Sequence, residues 1–242
     1  MEGAVNLPYA IPNMSVDLHT PHDINVPVLW WRSVGSSHTA YSTEVFFDQV
    51  AVATGKDPVA LRLELLAEHP RHAGVLRLAA EKAGWGTPLA SGKLEERRGR
   101  GVALHESFNT RVAQVAEVTV AKNGSIKVDR VVCAVDCGTA INPDNIRSQL
   151  EGAVGFALTA ALYGEITLKE GRVEQGNYDG YALLGIGEMP AIEVHIMPSE
   201  AAPTGMGEPG VPPLAPAVAN AIAAATGKRL QRLPFRTADL AA

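Results

Sequence analysis

Cationic, aromatic and thiol-bearing side chains are all scarce in this sequence, and each shortage removes a class of function. The 242 residues carry 21 Lys and Arg against 26 Asp and Glu, a formal charge of −5. Basic residues gather only in two short groups, Arg97, Arg98 and Arg100, then Lys228, Arg229 and Arg232. No nucleic acid is expected as a partner, because salt-dependent phosphate binding needs a broader basic footprint. Aromatic residues make up 5% of the chain, which further weakens any base-stacking surface. The two cysteines, Cys133 and Cys137, are about 13 Å apart in an extended strand, beyond disulfide reach. They read as buried small hydrophobes, since two thiolates make no metal site without other ligands.

Other absences narrow the field further. No stretch approaches the roughly 20 uninterrupted apolar residues that cross a bilayer, so no direct membrane span is expected. The opening residues Met1-Glu2-Gly3-Ala4-Val5-Asn6-Leu7-Pro8-Tyr9 contain no basic n-region before an apolar core, so the chain is expected to carry no export signal of its own. A complex containing it could reside in the cytoplasm or the periplasm. A Gly-X-Ser-X-Gly elbow and a His-Glu-X-X-His motif are both missing, which argues against a hydrolase. The run Leu183-Leu184-Gly185-Ile186-Gly187 lacks the third glycine and the βαβ context of a nucleotide fingerprint. Internal repeats, heptads and low-complexity tracts are absent.

What is present describes a well-buried α/β protein of mixed α+β type: 46% apolar residues, 19% charged, 23 glycines and 16 prolines. The length, about one and a half typical domains, admits one large unit or two small ones. The opening stretch to about residue 25 has no period and reads as a segment lying across something else. Val26-Pro27-Val28-Leu29-Trp30-Trp31 reads as a strand, with Pro27 placing it at an edge or a strand start. Adjacent Trp30 and Trp31 would face opposite sides, so only one could line a funnel. Apolar spacing predicts helices over 40–54, from Pro58 behind an Asp57 cap, and over 73–83, with Gly55 and Gly84 as stops. The glycine- and charge-rich stretch 86–100 gives the internal boundary. Residues 1–98 would hold the N-terminal segment and a helical part, and residues 99–242 an α+β part. Within the latter, 112–120 and 126–132 form a hairpin across Lys122-Asn123-Gly124. A helix over 145–162, strands over 165–168 and 192–196, and a helix over 214–225 ended by Gly227 complete the reading.

Chemistry concentrates in Gly205-Met206-Gly207-Glu208-Pro209-Gly210-Val211-Pro212-Pro213. Its glycines let backbone pass close to a ligand, its prolines restrict the path, and one carboxylate sits in the middle. This stretch, with the small-residue helix after it and Leu233-Pro234-Phe235, resembles the C-terminal part of the large subunit of isoquinoline 1-oxidoreductase-like enzymes. They belong to the xanthine dehydrogenase and aldehyde oxidoreductase family. Three further stretches resemble the same family in the same order: Trp31-Arg32-Ser33-Val34-Gly35-Ser36-Ser37-His38, Val135-Asp136-Cys137-Gly138-Thr139-Ala140-Ile141-Asn142-Pro143, and Gln149-Leu150-Glu151-Gly152-Ala153.

The resemblance implies the C-terminal cofactor-binding domains of a molybdenum hydroxylase. The cofactor would be a molybdenum–pterin, commonly a molybdopterin cytosine dinucleotide, which supplies the sulfur ligands; no protein residue is expected to bind the metal directly. It implies that Glu208 is a general base that deprotonates a molybdenum-bound hydroxyl during hydroxylation of an N-heterocycle or aldehyde, with hydride passing to the sulfido ligand. Cofactor contacts are implied for Gln149, Gly207 and the loop Arg32, Ser33, Val34 and Gly35, with Arg32 either neutralising anionic cofactor groups or making a structural ion pair. Ser36 and Ser37 either offer hydroxyls and amides to the cofactor or serve the turn. Iron–sulfur clusters are implied only on a small partner subunit, and the rest of the large subunit is implied as a second partner. The segment 178–190 departs from the family pattern, with glycine where a charged or polar residue is usual. His38, His105 and His195 read as separate hydrogen-bonded structural residues, and Asp136 and Asn142 as turn residues bonding nearby backbone. A non-catalytic assembly module or an inactive fragment remains the alternative.

Overall fold

The computed structural model describes residues 1–21, 26, 28–93 and 95–241. Helices α1 (Ser36–Ala53), α2 (Pro58–Leu65) and α3 (Pro70–Lys82) come first. Strands β1 (Arg97–Ser107), β2 (Thr110–Val120) and β3 (Ile126–Asp136) follow, then α4 (Pro143–Leu162) and the two-residue strands β4 (Leu168–Lys169) and β5 (Arg172–Val173). Strand β6 (Ala191–Ile196) and helix α5 (Leu214–Thr226) complete the order. The main sheet runs β1-β2-β3-β6, antiparallel except for the parallel β3–β6 pair. A parallel neighbour needs a long crossover, and α4 supplies it.

The strands are buried on both faces. Val102 and Leu104 of β1, with Ala113, Val115, Val132 and Ala134, meet Val75, Leu76 and Ala79 of α3. The opposite face, with Ala103, Val112, Val131 and Cys133, meets Leu150 and Val154 of α4 and Ala217, Val218 and Ile222 of α5. Helix α5 approaches β1 closely because Gly101 has no side chain; a Cβ there would lie 2.1 Å from the Ala221 nitrogen. Both cysteines are free and buried, and burial pushes the Cys133 thiol up to about 12.

Several expectations hold. The hairpin expected between 112–120 and 126–132 is present, its five-residue connection carrying Gly124 at φ 83°. Asp57 caps α2 through the Val59 and Ala60 amides, Asn142 caps α4 through Asn145, and Gly227 ends α5 in the left-handed region. Helix α3 begins three residues early, because Pro70 takes its N-terminal position.

Other expectations are corrected. Val26 and Val28–Trp31 form no strand; the reading of Pro27, and that of residues 22–25, falls outside the described residues. The strand expected over 165–168 shrinks to β4, paired with β5. The stretch read as a boundary contains the start of β1, so a division at 98/99 falls inside a strand whose eleven residues all pair with β2. Strand β1 was illegible because its arginines and glycines mimic a linker, while in the sheet Arg100 pairs with Glu117 at 2.8 Å and Gly99 and Gly101 admit α5.

Candidate functional site

Parallel β3 and β6 end at the same edge of the sheet, and the loops leaving them build the site. Met197 N–H donates to the Val135 carbonyl, Thr139 N–H to Ala201 and Thr204 N–H to Cys137, which stitches the two loops together. Gly138, at φ 74°, permits the contact, since a Cβ there would lie 2.1 Å from the Ala202 carbonyl oxygen. Asp136 accepts from Gly138 N–H at 3.0 Å and takes a two-pronged contact from Arg71. Asp136 and Asn142 are therefore turn residues as expected, with an ion pair added at Asp136.

The glycine-rich loop is then fixed from below. Phe108 and Asn109 make a two-residue hairpin turn, both left-handed. That turn presents Thr110, whose hydroxyl contacts Thr204 Oγ1 and the Gly205 carbonyl at 2.6 and 2.7 Å. Buried Gln114 donates to the Gly210 carbonyl at 2.9 Å. Neither residue was expected at the site. Gln114 had a legible signal, a neutral polar residue inside an apolar strand, whereas Thr110 had none.

Arg32 and Ser33 reach this loop from a distant part of the chain. Arg32 Nε donates to the Gly207 carbonyl at 2.8 Å, and its Nη2 donates to Gln149 Oε1 at 3.3 Å. Its guanidinium lies 5.5 Å from the Phe156 ring centroid, and Trp31 packs on the same ring at 4.6 Å. Burial lowers the Arg32 pKa, an effect opposed by the Glu208 charge. Ser33 N–H donates to Glu208 Oε2 at 2.7 Å and its hydroxyl to the Glu208 carbonyl at 2.8 Å. Five of the expected residues thus meet: Arg32 bonds Gly207 and Gln149, Ser33 bonds Glu208, and Gly207 and Glu208 are chain neighbours. Val34 and Gly35 complete the same turn without touching Glu208 in any recorded hydrogen bond; Gly35 N–H is taken by Glu2. Ser37 donates its hydroxyl to Val34, and Ser36 is buried. Trp30 points away, 89% exposed.

A cleft of about 260 Å³ is lined by Gln149, Asn145, Thr139, Thr204, Met206 and Cys137 among others, none charged. A side chain at Gly207 would meet nothing within 4 Å, so its backbone borders open space. Among the described residues the Gln149 amide nitrogen makes no protein hydrogen bond, while its oxygen is taken by Arg32. The cleft therefore offers neutral donors and acceptors suited to a heterocyclic edge. No group of His, Cys, Asp or Glu among the described residues could hold a metal ion.

The three histidines do not join the site. His38 is exposed; among the described residues Nε2 of buried His105 has no hydrogen-bond partner, and Nε2 of half-buried His195 lies 3.6 Å from Glu193, beyond hydrogen-bond reach. Burial pushes the His105 imidazole down to about 4, partly offset by Glu106. An unfolded histidine titrates near 6.5, so His105 is neutral in both states above that value and destabilises the fold as pH falls toward about 4. Urea denaturation is expected to show His105 costing the wild type about 2 kcal/mol between pH 7 and pH 5. In His105→Gln that part of the slope should vanish; an unchanged slope would mean the imidazole charges without penalty.

The molybdopterin cofactor-binding domain family matches residues 42–190. The chain is 33% identical over 235 residues to the isoquinoline 1-oxidoreductase subunit beta of Brevundimonas diminuta, covering 95% of this chain and 29% of that protein. It is 32% identical over 230 residues to a membrane-bound aldehyde dehydrogenase (pyrroloquinoline-quinone) of Gluconacetobacter polyoxogenes, covering 87% and 29%. The chain thus spans less than a third of the length of these curated relatives. Quinoline 2-oxidoreductase from Pseudomonas putida 86 shares the fold with a TM-score of 0.76 at 11% identity, over 86% of this chain and 52% of that one.

Proposed function

This chain belongs to the molybdopterin cofactor-binding family of molybdenum hydroxylase large subunits, and from that premise we propose that it forms the cofactor-facing, base-bearing part of an oxidative hydroxylase. The observation carrying the reading is that Arg32 ties Gly207 to Gln149 and Ser33 grips Glu208, next in sequence to Gly207, with Gln149 and Met206 lining an uncharged cleft. A molybdenum–pterin cofactor, in its cytosine dinucleotide form, supplies two-electron oxidation when bound. Gln149 and the open Gly207 backbone are the residues that would hold its pterin. Glu208 takes a proton from the water-derived oxygen that becomes the product hydroxyl. Arg32 holds Gly207 and Gln149 in register through Nε and Nη2. The substrate is an N-heterocycle or an aldehyde, and the two electrons leave for iron–sulfur centres on a small partner subunit.

The rest of the large subunit is the second proposed partner. Leu29, Trp30 and Ile186 are 98%, 89% and 96% exposed. Leu29 and Trp30, adjacent in the chain, are the large apolar side chains such a partner would cover.

Metal and nucleotide measurement on the chain alone, and on the complex coexpressed with its genomic neighbours, tests the reading. Molybdenum and released cytidine nucleotide near one per chain are expected in the complex. A correctly assembled complex with neither would leave a structural module, and a quinone in their place would transfer the site to the chemistry named for the Gluconacetobacter relative.

A further inference from the structure

The two carboxylate oxygens of Glu208 stand in different surroundings, and one residue makes the difference. Ser33 is fully buried and grips Glu208 twice, at Oε2 through its N–H and at the main-chain carbonyl through its hydroxyl. Among the described residues Oε1 takes part in no hydrogen bond. Ser33 and Val34 hold φ of 77° and 48°, left-handed values that are uncommon for serine and an outlier for a β-branched residue. Neighbouring contacts keep them there: Val34 N–H donates to the Trp31 carbonyl at 2.8 Å, and the Ser37 hydroxyl donates to the Val34 carbonyl at 2.6 Å. Strain maintained against relaxation at one turn, with that turn's N–H aimed at a carboxylate, marks a position where geometry is being held.

We infer that the Ser33 side chain is a positioning group: its hydroxyl fixes the main chain of Glu208 and so keeps Oε2 against the Ser33 N–H, leaving Oε1 to take the proton. This rests on the base role proposed for Glu208. An unanchored carboxylate would rotate about its side-chain torsions and present either oxygen over a range of places, and a displacement of about 1 Å at a reacting group costs on the order of 10²-fold in rate. Arg32 reinforces the arrangement by holding the preceding carbonyl of Gly207. Ser33 does not line the cleft, so the loss should fall on kcat and spare KM.

The assembled holoenzyme carrying Ser33→Ala, Ser33→Gly or Glu208→Gln provides the test, read as kcat and KM, as metal and nucleotide per chain, and as Tm. Both Ser33 variants are expected to lose roughly 10- to 100-fold in kcat, with KM within about twofold and cofactor content unchanged. Glycine accepts left-handed φ without strain, so Ser33→Gly should keep the wild-type Tm or exceed it while still losing kcat. That combination separates a lost anchor from a damaged fold, and it stands even where Ser33→Ala does not fold. Wild-type kcat in Ser33→Gly, with Glu208→Gln inactive, would overturn the positioning role and leave the base role intact. Activity lost in proportion to cofactor would overturn it in favour of cofactor retention, and an active Glu208→Gln would overturn both readings.

Discussion

Glu208→Gln is expected to lower kcat by roughly 10²- to 10⁴-fold, the usual worth of a positioned general base, while molybdenum and nucleotide per chain stay at wild-type levels. Glutamine keeps the shape and the oxygen that accepts from Ser33 N–H at 2.7 Å. The Arg32–Gly207 and Gln114–Gly210 contacts that shape the loop do not involve the carboxylate, so the loop should survive. What the amide cannot do is take a proton near neutral pH. Steady-state rates normalised to bound molybdenum decide the matter. An unchanged rate moves the base to another residue, and a loss of cofactor equal to the loss of rate makes Glu208 a structural contact.

A second large effect lies away from the site. Glu44 and Arg62 form a buried ion pair at 3.0 Å, with side-chain exposures of 1% and 0%. Glu44 also accepts from the Tyr9 hydroxyl at 2.7 Å and from Leu104 N–H at 2.9 Å. Burial and the Glu44 charge together hold the Tyr9 phenol well above its usual range. This cluster ties α1 to α2, to β1 and to the segment before α1. Glu44→Ala leaves Arg62 without a counter-charge in a dry interior and is expected to cost about 3–5 kcal/mol, read by urea denaturation at pH 7. The pair Glu44→Leu with Arg62→Met should recover part of that loss, because two apolar groups leave no charge stranded. A Glu44→Ala variant within about 1 kcal/mol of wild type would show that water reaches Arg62. The reading of α1 as an amphipathic helix gave no hint of this cluster, since Glu44 looks like any charged residue on a helix face.

The elements with local punctuation were the legible ones. Asp57-Pro58 and Gly227 each satisfy or terminate a helix end within a few residues, so the start of α2 and the end of α5 could be read from neighbours alone, whereas Asn142-Pro143, read as a turn, starts α4 two residues before the expected position. Strand β1 could not be read that way, because the worth of Gly99 and Gly101 appears only when α5, more than a hundred residues later, lies against them. Trp31 failed in the other direction: its strand-like setting is overridden by packing on Phe156 of α4.

For the site, the sequence by itself singled out the candidate residues. Glycine, proline and a lone carboxylate in one loop, together with the Arg32–Gly35 turn and Gln149, carried the family resemblance without any coordinates. Only the tertiary structure decided how they act on one another. It made Arg32 a brace for Gly207 and Gln149, recruited Thr110 and Gln114, and gave the oxygens of Glu208 different surroundings. The physical reason is that residue type is local, whereas a hydrogen bond between Ser33 and Glu208 spans 175 positions, and only the packing of α4 and α5 on the sheet brings its two ends together.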